Sequence, residues 1–154
     1  MVSLHGVYPC TADDKGRIMM PAPLKEQFQR ILKKGFIIKR SIFSKALELY
    51  PVSTWSEMIK EISRLNRFSK KNSDFIRMFN YGVQPLVLDN TNRFLITKDL
   101  ADFAGIKKDV VMASAIDHVE IWDQKAYHKF IKDNSAKFES LTEEVMGKGN
   151  GINE

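Results

Sequence analysis

This sequence of 154 residues predicts an α+β, β-rich fold in which one small unit occurs twice. The first observation is a repeated pattern: an Asp, then an Arg four positions later, at the start of an apolar run. It occurs as Asp13-Asp14-Lys15-Gly16-Arg17 running into Ile18-Met19-Met20-Pro21, and as Asp89-Asn90-Thr91-Asn92-Arg93 running into Phe94-Leu95-Ile96. The second is that each copy is followed by an amphipathic stretch and then an apolar strand. The third is a closing triplet of Glu, an apolar residue and an aromatic: Glu48-Leu49-Tyr50 in the first half and Glu120-Ile121-Trp122 in the second. The chain therefore reads as a pseudo-dimer of one module, with its chemistry on two equivalent loops.

Residues 4–12 alternate weakly and carry a proline, which suits an extended edge strand. Asp13 to Gly16 is a turn, since Asp suits its first position and Gly16 can adopt a positive φ. Arg17 to Met20 is a short strand ended by Pro21 and Pro23, and Pro23 can sit in a first helical turn. Leu24, Phe28, Ile31 and Leu32 recur at helical spacing, so the pattern predicts an amphipathic helix over 23–33, with Gly35 as its C-cap. Strands follow at 36–39 and 46–50. After them Trp55, Met58, Ile59, Ile62 and Leu65 form a helical stripe that Phe75, Met78 and Phe79 continue. The predicted helical linker runs from Ser53 to Asn80 and breaks near 69–72.

The second unit repeats this order. Strands are expected at 86–88 and 94–96 around the turn Asp89–Asn92. Asn92 stands where the first turn has Gly16, and Asn tolerates positive φ better than most residues. A short helix from Lys98 to about Phe103 ends at Gly105, strands follow at 110–112 and 118–122, and Tyr127, Phe130 and Ile131 mark a closing helix. The expected organisation is a first hairpin unit at 4–52, a helical linker at 53–80, a second hairpin unit at 81–124, a C-terminal helix at 125–138 and a tail at 139–154, disordered over about its last ten residues.

Each repeat of roughly 75 residues is marginal as a separate core, so the two should share one or oligomerise. The composition, 44% hydrophobic and 28% charged, is that of a soluble globular protein. No apolar run approaches the ~20 residues of a membrane span, and the first residues lack the basic and apolar regions of a secretory signal. A single cysteine, Cys10, cannot form an internal disulfide, so a reducing cytoplasm is the simplest setting. The net charge of +5 is unevenly spread. Residues 1–80 carry 15 Lys and Arg against 7 Asp and Glu, while residues 81–154 carry 9 against 12. A basic first half suits a polyanionic partner, nucleic acid first among them, or else a solvated face.

In an Asp-x-x-x-Arg turn the carboxylate can accept N–H groups of its own turn and also face the Arg. This would hold the guanidinium in one direction at the tip of a hairpin. An oriented Arg suits bidentate contact with phosphate or with a guanine edge. Lys15, beside Gly16, adds a mobile charge. The bland alternative is a turn salt bridge worth a fraction of a kcal/mol; two copies in equivalent places of a basic protein weigh against it.

Asp13-x-Lys15-Gly16-Arg17-Ile18-x-x-Pro21, Leu47-Glu48-Leu49-Tyr50 with Trp55, Asp89-x-x-x-Arg93 and Glu120-Ile121-Trp122 together resemble the MraZ family of bacterial transcriptional regulators, over about residues 4–130. The resemblance implies two tandem AbrB-like swapped-hairpin units pairing within the chain. It also implies a ring-shaped homo-oligomer in the nucleoid that binds short, repeated, G-rich elements of double-stranded promoter DNA. Its target would be the division and cell-wall gene cluster, typically repressed. Carried onto this sequence, Lys15, Arg17 and Arg93 are the DNA-binding candidates, and Asp13, Gly16, Asp89 and Asn92 orient the loops. Thr91, Asn92 and Thr97 depart from the fuller form of the first motif, where Lys15, Gly16 and Pro21 stand. Loop two is thereby left with Arg93 as its only cation.

Arg64, Arg67, Lys70 and Lys71 form a basic cluster on the linker helix, either a solvated face or secondary phosphate contacts. Trp55, Phe75, Phe79, Trp122 and Tyr127 fit core or subunit packing better than base stacking, because basic residues do not interleave with them. His118 lies near Asp117, Glu120 and Asp123 but in no metal-ligand spacing, so no metal is expected. Nor is a cofactor, a small-molecule substrate or an enzymatic activity, since no phosphate-binding, dinucleotide or nucleophile motif is present. An antitoxin-like AbrB module that mainly holds a protein partner is the alternative; such a module usually carries one hairpin unit and a long tail.

Overall fold

The computed structural model describes residues 3–147. The described residues divide into two compact units, 3–124 and 125–147. In the first unit, β1 (Val7–Thr11) and β2 (Arg17–Met19) flank the first loop. Then come α1 (Ala22–Gln27), a 3-10 turn (Leu32–Lys34), β3 (Phe36–Arg40) and β4 (Leu47–Pro51). A helical hairpin, α2 (Val52–Ser63) and α3 (Lys70–Asn80), joins the halves. The second half runs β5 (Gln84–Leu86), β6 (Arg93–Leu95), α4 (Lys98–Ala104), β7 (Asp109–Ser114) and β8 (Val119–Asp123). The second unit holds α5 (Gln124–Ser135) and α6 (Phe138–Met146).

Six strands form one antiparallel sheet in the order β1-β7-β8-β4-β3-β5, and β2 pairs with β6. The order is a palindrome under the duplication. β1 and β5 are equivalent edges, β7 and β3 lie next inward, and β8 and β4 meet at the centre. Each half's first strand has left its own half: β1 lies on β7, and β5 lies on β3. This is hairpin swapping within one chain. Both edge strands carry a proline, Pro9 opposite Val111 and Pro85 opposite Ile37. An edge strand tolerates the missing N–H.

One core serves both halves. Ile18, Leu24, Phe28, Phe36, Ile38, Leu47 and Leu49 from the first pack with Phe94, Ile96, Leu100, Val110, Met112, Val119 and Ile121 from the second. Sharing a core resolves the marginal size of either repeat alone. Truncating one of its fully buried leucines, such as Leu49, should cost about 2–5 kcal/mol.

At the centre Glu48 stands directly opposite Glu120. Like charges in that position repel. Glu48 Oε1 is met by the Lys39 Nζ at 3.2 Å and by the Tyr50 hydroxyl at 3.0 Å, and Glu120 Oε1 accepts the Trp122 indole N–H at 3.2 Å. Lys39, buried in the sheet, also donates to the Arg40 carbonyl and lies over the Phe79 ring. Trp55 of α2 stacks on Phe79 of α3 and touches Tyr50, which seats the helical hairpin on β4. The aromatic stripe is thus packing, as its spacing implied.

Four elements differ from expectation. The helix expected over 23–33 ends at Gln27. Phe28 is fully buried with its ring edge-on to Phe36, so the chain tightens there, and Ile31 and Leu32 reach the core from turn geometry. The strand expected at 86–88 is instead Gln84–Leu86, because beyond Leu86 the chain leaves β3 to reach the second loop. The linker breaks at 64–69 rather than 69–72, since the Ser69 side chain accepts the Asn72 N–H and starts α3. Residues 138–146, read as the end of one helix and an aperiodic tail, form α6. Phe138, Leu141 and Val145 recur at i, i+3 and i+7, and Gly147 follows as its C-cap. The disorder expected of the last residues falls mostly on 148–154, outside the described residues.

Candidate nucleic-acid interface

The two Asp-x-x-x-Arg loops are built by the same bonds. In the first, the Asp13 N–H donates to the Arg17 carbonyl at 2.9 Å and the Gly16 N–H donates to the Asp13 carbonyl at 3.0 Å. Asp13 Oδ1 accepts the Lys15 and Arg17 N–H groups, each at 2.9 Å, and Oδ2 accepts Arg17 Nε at 2.6 Å. In the second, Asp89 N–H to the Arg93 carbonyl is 2.8 Å and Asn92 N–H to the Asp89 carbonyl is 2.9 Å. Asp89 Oδ1 accepts the Thr91 N–H at 2.8 Å and the Arg93 N–H at 3.0 Å, and Oδ2 accepts Arg93 Nε at 3.2 Å. The Thr91 hydroxyl adds a bond to Asp89 Oδ1 at 2.9 Å. Gly16 and Asn92 both take positive φ, 86° and 63°.

Each Arg is held through Nε alone. Among the described residues its Nη donors have no hydrogen-bond partner, so they remain available for a bidentate acceptor. Backbone N–H donors, chiefly that of Arg17, hold the Asp13 carboxyl below its ordinary range. Those of Arg93 and Thr91, with the Thr91 hydroxyl, bring Asp89 down to about 2. Both loops therefore stay ionised and closed at neutral pH.

The pairing of β2 with β6 brings the loops together. Arg17 lies opposite Leu95 and Met19 opposite Arg93. Arg17 and Arg93 are then diagonal neighbours on one face, about 7–8 Å apart at the backbone. Ile18 and Phe94 point the other way, into the core. The junctions are reciprocal: the Ile96 N–H donates to the Gly16 carbonyl and the Met20 N–H to the Asn92 carbonyl, both at 2.9 Å. The outer face thus carries two oriented guanidinium groups with exposed Met19 and Leu95 between them, and Lys15 exposed at the tip of the first loop.

Two lysine pairs that the sequence reading did not single out stand just before β3 and β7, the strands that pair with the sheet's two edges. Lys107 and Lys108 share an open cleft with Asp13 and Asp14, and the Ala12 N–H donates to the Lys108 carbonyl at 2.8 Å. Lys33 and Lys34 are their equivalents in the repeat, separated from β3 by Gly35, and β3's partner β5 leads into the second loop. The signal was present as Lys-Lys before an apolar strand in each repeat. Because of the swap, Lys107 and Lys108 lie beside the first half's loop. Arg64, Arg67, Lys70 and Lys71 stay on the α2–α3 hairpin. There Arg64 pairs with Glu61 and Lys70 with Asp74, and none is bonded to the ribbon.

Glu48, His118 and Glu120 also converge, their donor atoms within 4.8 Å of one another. His118 and Glu120 are close in sequence, but Glu48 arrives only through the β4–β8 pairing. His118 stacks on Tyr50 and its Nδ1 lies 2.9 Å from Asp117, so the trio is part of the hydrogen-bonded centre of the sheet. Burial pushes the Cys10 thiol up to about 11, which suits a strand residue rather than a nucleophile.

The class these features define is a duplicated, swapped-hairpin protein presenting paired arginine loops on a two-stranded ribbon. The family model described as "MraZ protein, putative antitoxin-like" matches residues 4–78 and 81–148. A "Transcriptional regulator MraZ" of Flavobacterium psychrophilum is 51% identical over 150 residues, covering 97% of this chain and 96% of that protein. Proteins of the same name from Christiangramia forsetii and Moorella thermoacetica are 49% and 30% identical, covering 96% and 92% of this chain and 95% of each relative. The chain belongs to the MraZ family, and each of these relatives bears the name of a transcriptional regulator.

Proposed function

We propose that this protein is a sequence-specific DNA-binding transcriptional regulator that reads DNA with the β2–β6 ribbon. The observation that carries this reading is the placement of Arg17 and Arg93 on one exposed face, each clamped through Nε with its Nη donors outward. A two-stranded ribbon fits the major groove, and an outward guanidinium pairs with guanine O6 and N7 or with phosphate. Lys15, Lys33, Lys34, Lys107 and Lys108 supply phosphate contacts beside it. Arg64, Arg67, Lys70 and Lys71 are more distant candidates.

One chain offers few cations, and counterion release rewards many contacts made together. A ring of copies on repeated promoter elements turns weak contacts into avid binding. The family resemblance supports the division and cell-wall cluster as the target, with repression as the usual outcome and the nucleoid as the place of action. The test is a salt series of binding to the DNA upstream of the protein's own gene, against scrambled DNA, with Arg17→Ala in parallel. Tight, steeply salt-dependent, sequence-selective binding that the variant loses supports the reading. Equal weak binding to both DNAs overturns it and favours the antitoxin-like alternative, in which a protein partner is the main ligand.

A further inference from the structure

Away from the ribbon, the β3–β4 loop, α3 and α4 enclose a cleft of about 480 Å³. Its walls are aromatic, with Phe43, Phe75, Phe79 and Phe103 prominent, and its charges are cationic, with no acid in the lining. Phe43 is 97% exposed, which is unusual for a residue of that size beside a cleft. Arg40 lies against the rings of Tyr81 and Phe103, and Lys45 lies over Phe103. Neither cation has an ion-pair partner among the described residues. Arg40 Nε and Ser44 Oγ are shut off from solvent yet have no hydrogen-bond partner. The cleft is therefore an apolar, cationic surface, and it suits an acidic, amphipathic segment.

The chain itself carries one. On α6, Phe138, Leu141 and Val145 are all exposed and share one face at i, i+3 and i+7, about 10 Å along the axis. Glu139 flanks that face on one side and Glu144 on the other, with Glu143 beyond. All three acids are exposed, none has an ion-pair partner among the described residues, and no basic residue lies within the helix. The spacing matches that of an amphipathic helix laid in a groove.

We propose that α6 of one copy docks in the Arg40–Lys45 cleft of the next copy. Its Phe138, Leu141 and Val145 enter the aromatic walls, and its glutamates meet Arg40 and Lys45. The two surfaces are different patches of one chain, so the contact is heterologous, and a heterologous contact that closes generates a ring. This deepens the ring reading proposed above and rests on it.

The test is the solution mass of the full chain by light scattering, at low and moderate salt. Arg40→Glu with Lys45→Glu makes cleft and helix both acidic; Glu139→Lys with Glu144→Lys makes both basic. Each double variant alone should fall to the monomer mass of 17.7 kDa. An equimolar mixture should regain the wild-type mass, because each cleft then meets a helix of opposite charge. Lys45→Glu alone and Phe138→Ser, both at exposed positions, repeat the test without disturbing Arg40 in its aromatic seat. Variants that keep the wild-type mass overturn the contact while leaving the ring standing. So does a mixture that stays monomeric although a chain carrying all four substitutions reassembles, since docking is then within one chain. A monomeric wild type overturns the ring reading, and the contact with it.

Discussion

The first loop and the second are one backbone carrying different chemistry. Asp13–Arg17 and Asp89–Arg93 share the same carboxylate clamp and the same closing bonds. Where the first has Lys15, the second has Thr91, whose hydroxyl turns inward to Asp89. One position has been used for charge in one copy and for rigidity in the other. The proposed function makes the first loop the stronger anion contact. The second gains the Thr91 hydroxyl tie but holds its Arg at 3.2 Å against 2.6 Å in the first, so loops alike in shape are expected to differ in function.

Removing the arginines tests that asymmetry most strongly. Arg17→Ala should lower affinity for the upstream DNA about 100-fold and Arg93→Ala about tenfold, within the 1–3 kcal/mol of a bidentate base contact. Titrations at fixed salt decide this. Equal losses would make the loops equivalent readers, and a larger loss at Arg93 would reverse their ranking.

The turn apex comes next. A Cβ built on Gly16 would lie 2.7 Å from the Ile96 carbonyl oxygen, at a φ of +86°. Gly16→Ala should therefore destabilise the fold by about 1–3 kcal/mol. Asn92 already holds a side chain at the equivalent φ of 63°, so Asn92→Gly should change stability by less than about 0.5 kcal/mol. Urea denaturation measures both. A tolerated Gly16→Ala would mean that the β2–β6 junction yields.

These loops were legible in the sequence because their bonds span five residues, so Asp, Arg and a turn former suffice to announce them. The short helix capped by Gly105, in the left-handed conformation, was legible for the same local reason. The ribbon was not, because β2 and β6 are three residues each and join positions 76 apart in sequence. Their outward Met19 and Leu95 also hide the alternation that marks a strand. Phe28 illustrates the opposite error: its spacing is helical, but its packing against Phe36 stops the helix. The convergence of Glu48 with Glu120 depends on the sheet's central pairing, which no local pattern encodes. The two Lys-Lys pairs were visible as a repeat, yet the place of Lys107 and Lys108 beside the first half's loop follows only from the swap.

A milder change should make the second loop more like the first. Thr91→Lys adds a cation where Lys15 stands and removes the hydroxyl bond to Asp89. The slope of log affinity against log salt should steepen by about 0.9 per added phosphate contact in each bound chain. An unchanged slope would place the tip of loop two away from the phosphates.

The smallest effect concerns protons. The Asp89 carboxyl sits at about 2, held down first by the Arg93 N–H, then by the Thr91 hydroxyl and N–H. Asp13 is lowered by the Arg17 and Lys15 N–H groups and the Arg17 side chain, without a hydroxyl. A lowered carboxyl contributes stability that is fully present above the unfolded value near 3.9 and is lost as pH falls through the folded value. Loop two should thus be indifferent to pH from 8 to about 5 and loosen only between about 4 and 2. Thr91→Val removes the hydroxyl alone and should move the Asp89 titration upward, leaving Asp13 where it is. Carboxyl chemical shifts followed by NMR against pH report both groups in one sample. An Asp89 titration that does not move would assign the depression to the backbone donors, which the two loops share, and the rigidity attributed to Thr91 would then have no electrostatic basis.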